Sequence, residues 1–441
     1  MTFEHKNIIG IGIGPSNLSL ATLLHPFAYR SKIFFDAKPK FDWHGGLLLS
    51  GSKLQVHYLK DLVSLIDPSN PFSFLSFLHK KKRLYQFINA HFDYVSREEF
   101  SEYYQWVVGQ LPHLHFNKKV REVTLKKNQL LLQLDNQTLT CDHLVMGCGK
   151  KPYIPNFARN KIGASLFHAS EFKNRYSSSH GKKVVVVGGG QTSAEIMSCY
   201  LDQPVLPQQL TWLSSRDNFL PLDDSPFVNE FFTPSYSNYF YSLPEKKRLA
   251  LVKKQKLFSD GISSKSLEAL YQKMYALKYI QGEKDVCRLL PGFEMIDIFK
   301  VGDQWCLKLK NNEAGEIKTI TADVVVLCTG YEDALPECMQ ALTDHCLKTP
   351  EGNLLINKNY SVEWAEANQP RLYLQNAALN SRGIADPNLS LAAWRSATII
   401  NSILGKSVYD VSDDHGFFSW TRTASNHYPL STETALLDLA I

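Results

Sequence analysis

Two short glycine-rich turns, each fed by an apolar run and each followed by a helix-like stretch, constrain this 441-residue chain more than any other feature. The first is Gly12-Ile13-Gly14-Pro15-Ser16-Asn17, after "NIIGI"; the second is Gly188-Gly189-Gly190-Gln191-Thr192-Ser193, after "KKVVVV". Both fit a G-x-G-x-x-(small or Asn) frame. The first glycine of such a frame lets a strand turn sharply into a helix, and the second lets backbone approach a pyrophosphate lying on the helix N-terminus. Continuous Val/Ile runs bounded by turns suit strands buried on both faces of a parallel sheet. The expected fold is therefore α/β, with two Rossmann-like dinucleotide-binding units and a smaller helical region.

The end of the next strand separates the two units. The strand "KIFFD" ends on Asp36, 22 residues beyond Gly14, where a carboxylate takes a ribose hydroxyl. Its counterpart "QLTWLSS" ends without an acid and runs through Ser214 and Ser215 into Arg216. A cation there suits the additional phosphate of NADPH. Gly12, Gly14, Asn17 and Asp36 are thus candidates for one nucleotide, and Gly188, Gly190, Ser193 and Arg216 for the other. Two such sites point to a flavin plus a nicotinamide. The eight cysteines show no C-x-x-C or C-x-x-x-x-C pair, so electrons leave the flavin by a route other than a disulfide, commonly molecular oxygen.

Composition narrows the partners. A surplus of 48 Lys+Arg over 43 Asp+Glu leaves +5 spread along the chain, too weak a field to argue for nucleic acid. The basic run Lys80 to Arg83 lies between apolar stretches and reads as a solvated turn. No apolar stretch reaches the roughly 20 residues of a spanning helix, and no metal-ligand spacing occurs, so the expectation is a cytoplasmic protein with reduced, buried cysteines.

Ten motifs, the two turns among them, carry a resemblance. "GIGPSNLSLA", "FFDAKPKFDWHGGLLL", "LQVHYLKDLVS", "DPSNPFSFLSFL", "VSREEFSEYYQW", "FHASEF", "VVVVGGGQTSAEI", "DDSPFVNEFFTP", "VVVLCTGY" and "LSLAAWRSA" run in order from residue 7 to about 398. The chain thereby resembles the lysine/ornithine N-hydroxylases, flavin-dependent monooxygenases that make hydroxamate siderophore precursors. The resemblance implies that Gly12, Gly14, Asn17 and Asp36 hold FAD, with Trp43, His44 and Gln55 near the flavin ring. It assigns Gly188, Gly190, Gln191, Ser193 and Arg216 to NADPH. Lys60 and Asn229 resemble residues that grip the amino-acid substrate, and Leu389 and Ser390 belong to a segment closing over flavin and substrate. It also implies a homo-oligomer, a dimer or a tetramer. The FAD domain is expected at 1–168 and 323–441, the NADPH domain at 169–240 and 285–322, and a helical substrate region at 241–284.

The implied chemistry is reduction of FAD by NADPH, addition of oxygen to give a C4a-hydroperoxyflavin, and attack by a primary amine on its distal oxygen. An alkylamine with a pKa near 10.4 is only roughly one part in a thousand neutral at pH 7 unless desolvated. A dry pocket therefore both protects the oxidant and activates the nucleophile, and no general base is nominated. Ornithine enzymes carry an "NYS" turn whose Asn contacts the substrate carboxylate; here "SDGISS" puts Ser263 or Ser264 in that region. Lysine, or an amine without a carboxylate such as putrescine, cadaverine or histamine, then fits better than ornithine. Two alternatives stand beside this: an NADPH oxidase or flavin reductase that oxygenates no amine, and a non-catalytic nucleotide-sensing module. The F-x-G-x-x-x-H fingerprint of Baeyer–Villiger oxygenases is not met around His168. On its residues alone, Lys60 also reads as a loop lysine paired with Asp61. The last forty or so residues give no chemical signal.

Overall fold

The computed structural model describes residues 3–420 apart from 29, 127, 367–368 and 413–415. Two sheets dominate it. The larger one orders Leu114–His115, Lys32–Phe35, Glu4–Ile11, Thr138–Met146, Gln129–Gln133 and Glu122–Lys126, with Arg371–Leu374 added alongside Thr138–Met146. Its centre is parallel, with Ile9 beside Ile33 on one flank and Leu144 on the other. All three strands are apolar there because helices cover both faces. One covering pair is Pro15–Leu24 against Ala392–Leu404, so the C-terminal helix is built into the first domain.

The smaller sheet orders Cys287–Leu290, Gln209–Leu213, Lys183–Val187, Val324–Leu327 and Leu166–His168, parallel throughout. This corrects the expected boundaries at 168 and 323, which assigned Leu166–His168 and Val324–Leu327 to the first domain. Val326 pairs with Val186 and with Phe167, so both segments complete the second sheet. A three-stranded antiparallel sheet, Phe293–Val301, Gln304–Asn311 and Ile317–Ala322, packs beneath it through Ile298, Leu307 and Val185. The two connections between domains pair with each other where they cross, Lys151–Pro152 with Tyr331–Glu332.

The helical region is also divided differently from expectation. Ser264–Tyr275 packs its Leu267, Leu270 and Met274 into the core of the second domain, against Gln191–Leu201. Helices Pro234–Ser242 and Glu245–Lys254 instead pack on Leu379–Arg382 of the C-terminal return. The basic run is a charge-paired turn: Arg83 is bidentate to Glu102 at 2.9 Å for both bonds, and Lys81 joins at 3.0 Å. Ser96 caps Arg97–Val108 by accepting the Glu99 amide proton at 3.1 Å. All eight cysteines are free, but Cys148, expected inside, is exposed. Among the described residues no helix is long and apolar enough to cross a membrane.

Candidate active site

The first glycine turn is held from three sides. Gly12 sits at φ +87°, and a Cβ there would lie 2.6 Å from the Gly147 carbonyl oxygen, so only glycine fits. At Gly14 the nearest atom to such a Cβ is 3.9 Å away. Packing within the chain therefore does not require glycine at 14; open space over the helix N-terminus is what a pyrophosphate needs. The helix Pro15–Leu24 has proline in its first turn and no side-chain cap, which leaves its leading amides for a ligand. Asp36 accepts the Ile13 amide proton at 2.8 Å through Oδ2 and that of Lys38 at 2.8 Å through Oδ1. Each oxygen keeps a lone pair for a ribose hydroxyl.

Asn17 does something the motif did not announce. It is fully buried, and Nδ2 donates to the carbonyls of Ile11 at 3.1 Å and Gly12 at 2.8 Å while Oδ1 accepts from Gln375 at 2.7 Å. It ties strand ends together instead of facing a cofactor. Sequence reasoning also missed Arg395, buried beside Asp386 at 2.8 Å and donating to Ser16 Oγ at 3.0 Å. That pair anchors the C-terminal return on the first turn. The arginine in "LSLAAWRSA" was the available signal, because an arginine in an apolar helix needs a partner.

The second turn faces a cleft of about 890 Å³ lined by Gly188, Gly190, Gln191, Ser193, Arg216 and, from the first domain, Gln55. Gly188 is at φ +139°, and a Cβ would fall on the Cys328 carbonyl. The helix Gln191–Leu201 again lacks a side-chain cap. Ser193 is buried, its hydroxyl donating to the Gly190 carbonyl at 2.7 Å. Arg216 donates through Nη1 to the carbonyls of Gly189 at 2.9 Å and Asp260 at 3.0 Å. Gln191 accepts the Ser263 amide proton at 2.8 Å and donates to Glu195 at 3.0 Å.

The two domains meet around Gln55 and Arg97. Gln55 Nε2 is buried with no hydrogen-bond partner among the described residues, and Gln55 lines the same cleft as the second turn. A buried donor of that kind is costly unless a bound group accepts from it. This atom, the space over Gly14 and the two uncapped helices together fit a flavin and a nicotinamide dinucleotide. His44, in the left-handed region at φ +52°, lies 6.2 Å from the Tyr331 ring, and Tyr331 lies 5.3 Å from His168. Desolvation of its ring, then the Arg97 charge, lower the His44 pKa to about 4. Trp43 packs edge-on against Tyr104 at 5.0 Å. Arg97 forms a partly buried ion pair with Glu195 of the second turn's helix, another contact the sequence did not reveal.

The chain matches, over residues 4–333, the family model described as L-lysine 6-monooxygenase/L-ornithine 5-monooxygenase. It is 34% identical over 417 residues to an L-lysine N6-monooxygenase from Escherichia coli, covering 94% of this chain and 98% of that one. It is 32% identical over 414 residues to a putrescine N-hydroxylase from Shewanella oneidensis, covering 92% and 82%. Among solved structures it resembles the FAD-bound cadaverine monooxygenase of desferrioxamine biosynthesis from Erwinia amylovora, with a TM-score of 0.90 and 30% identity over 96% of this chain and 100% of that one. The chain belongs to the flavin-dependent lysine/ornithine/diamine N-hydroxylase family of siderophore biosynthesis. It is an NADPH-dependent flavin N-monooxygenase of that family.

The residues that the family resemblance assigns to substrate do not line the cleft behind the second turn. Lys60 lies in a turn after His57, half-buried, and burial lowers its pKa. Asp61 is not its partner: that carboxylate points inward, accepting from the amides of Val63 at 2.9 Å, Ser64 at 2.7 Å and Phe74 at 2.7 Å. Among the described residues Lys60 Nζ has no ion pair. Asn229 is exposed and donates to the Asp224 carbonyl at 2.9 Å. The aromatic residues flanking it touch the C-terminal segment, with Phe418 6.1 Å from Phe227 and Trp420 5.7 Å from Phe231, and Phe227 stays exposed. Ser390 is buried, its hydroxyl donating to Asn388 Oδ1 at 2.7 Å, and Leu389 packs against the first domain's core. Ser263 caps Ser264–Tyr275 through its hydroxyl and gives its amide proton to Gln191. Both its polar groups are engaged at the second turn.

Proposed function

We propose that this enzyme uses molecular oxygen to N-hydroxylate the side-chain amine of lysine, with Lys60 receiving the substrate carboxylate. The observation that carries the choice of substrate is Lys60 itself: a half-buried ammonium whose neighbouring acid is turned inward, and whose charge burial disfavours. A bound carboxylate offsets that desolvation, whereas a second ammonium adds to it. When bound, the flavin supplies the oxygen-transferring chemistry. The protein's part is to position and to exclude water. Gln55 offers a buried donor where the two domains meet, and Asp36 and Arg216 stand ready for the two nucleotides.

A second reading, a diamine such as cadaverine or putrescine, is supported by Ser263, whose groups are engaged and leave a carboxylate one partner fewer. Lysine, ornithine, cadaverine, putrescine and histamine, each assayed for hydroxylamine formed per NADPH oxidised, separate the readings. Lysine is expected to be coupled best. Lys60→Ala should raise the KM for lysine about 10- to 100-fold, the loss of one buried charge-assisted contact. It should leave that for cadaverine, and amine-free NADPH oxidation, little changed. Equal loss with both amines overturns the carboxylate assignment. Hydrogen peroxide as the sole product with every amine favours an oxidase instead.

A further inference from the structure

We infer that the phosphate that distinguishes NADPH from NADH is gripped from two sides, by Arg216 of the second dinucleotide domain and by Lys253 and Lys256 of the helical region. The inference rests on reading the second glycine turn as the coenzyme site, and it adds a specificity-determining pair that the glycine frame does not contain. Lys253 and Lys256 line the same cleft as Gly188, Gly190, Ser214, Ser215 and Arg216. Their position is fixed by two anchors. Between them Gln255, buried, donates to the Tyr236 hydroxyl at 2.5 Å; just beyond them the Asp260 carbonyl accepts from Arg216 at 3.0 Å.

The chemistry of the three cations matches a dianion. Arg216 directs Nη1 at backbone, so its guanidinium is oriented with donors to spare. Among the described residues neither lysine forms a salt bridge, so neither charge is already matched. Two acids also line the cleft, Asp260 and Glu294. The Asp260 carboxylate accepts from Ser259 at 3.1 Å, and it is the Asp260 main chain that faces Arg216. Three cations and two acids at this end leave a net positive charge where a 2′-phosphate would lie. Lys253 lies in the last turn of Glu245–Lys254, where the helix dipole places partial negative charge on the carbonyls and favours a cation; Lys256 follows in the connection to Leu257–Asp260. The bland alternative, solvated lysines on an exposed helix end, predicts no preference between ligands.

The test is isothermal titration of the FAD-loaded enzyme with 2′,5′-ADP and with 5′-AMP, which differ by the phosphate in question. Lys253→Ala and Lys256→Ala should each weaken 2′,5′-ADP about tenfold and leave 5′-AMP unchanged, and their effect should shrink as salt screens it. Lys254→Ala, on the same helix but away from the cleft, should leave both ligands unchanged. If Arg216→Ala loses 2′,5′-ADP binding while the Lys253 and Lys256 variants do not, the two-sided grip is wrong and the coenzyme site stands. If Arg216→Ala is also without effect, the coenzyme reading of the second turn falls with it. If Lys254→Ala matches the other two, the effect is general surface charge and the inference is overturned.

Discussion

The two glycine turns share a backbone and differ in what restrains them. Each has a positive-φ glycine pressed against a neighbouring strand end, Gly12 on Gly147 and Gly188 on Cys328, and each opens an uncapped helix. The first is tied within its own domain, by Asn17, Gln375, Arg395 and Asp36. The second adds outward ties, Arg216 to Asp260 and Glu195 to Arg97 of the other domain, to the bond that Gln191 accepts from Ser263 inside its own domain. An inwardly tied turn suits a cofactor that stays. An outwardly tied one suits a coenzyme whose arrival must be felt across domains.

The harshest way to break that comparison is to fill both glycines. Gly12→Ala and Gly188→Ala each force a side chain into left-handed backbone and onto a carbonyl oxygen, costing on the order of 3 kcal/mol or more. Gly12→Ala should purify colourless or fail to fold. Gly188→Ala should remain yellow, with dithionite but not NADPH bleaching the flavin anaerobically. Flavin loss in both would mean that the turns are not independent.

Next in size is the tie between domains. Removing either Arg97 or Glu195 leaves a partly buried charge alone, and among the described residues Glu195 Oε2 already lacks a partner, so about 1–3 kcal/mol should be lost in urea denaturation. Arg97→Met with Glu195→Leu should recover much of the stability but not the rate at which NADPH reduces the flavin. Recovery of both would reduce the pair to a structural contact.

Acid distinguishes the domains more gently. His113 and His143 are in the first domain, and desolvation, the main cause in each, lowers both to about 4. Their folded values lie below the unfolded value near 6.5, so the unfolded chain binds the proton more tightly. Stability is complete above pH 6.5 and drains away as pH falls toward 4, by on the order of 1 kcal/mol for each half-buried histidine once solvent screening is allowed for. Flavin fluorescence on heating should therefore show release at lower temperature from pH 7 to pH 5, and His143→Asn should flatten that slope. An unchanged slope would place the acid-sensitive groups elsewhere.

The turns were legible because steric demand is local: only glycine serves at 12 and 188, and each next strand is followed within three residues by the side chain, Asp36 or Arg216, that the motif singles out. The ties were not legible, because their partners are far apart in sequence. Arg97 and Glu195 lie 98 residues apart, and Gln375 lies 358 residues from Asn17. Asp61 illustrates the same limit at short range, since the adjacent lysine suggested an ion pair and the fold supplied three backbone amides. The expected domain edges failed for a related reason. Parallel sheets take strands from distant parts of a chain, and "SLFH" and "DVVVL" differ in no local property from strands of the first sheet.

The finest cut between the turns is at their last frame position, Asn17 against Ser193. Asn17→Ala removes an amide that bonds the end of the first strand and Gln375, leaving buried groups unpaired at a cost of about 2–3 kcal/mol. Ser193→Ala removes one hydroxyl whose acceptor, the Gly190 carbonyl, also receives the Ala194 amide proton at 3.3 Å, so about 1 kcal/mol or less is expected. FAD affinity measured by reconstituting the apoprotein should fall in Asn17→Ala, while the KM for NADPH in Ser193→Ala should move less than about threefold. Asn17→Ser, which gives the first turn the second turn's residue, is the decisive variant. Its hydroxyl reaches only its own helix, so it should behave like the alanine; near-native FAD binding would show that the inward tie belongs to Gln375 and Arg395 instead.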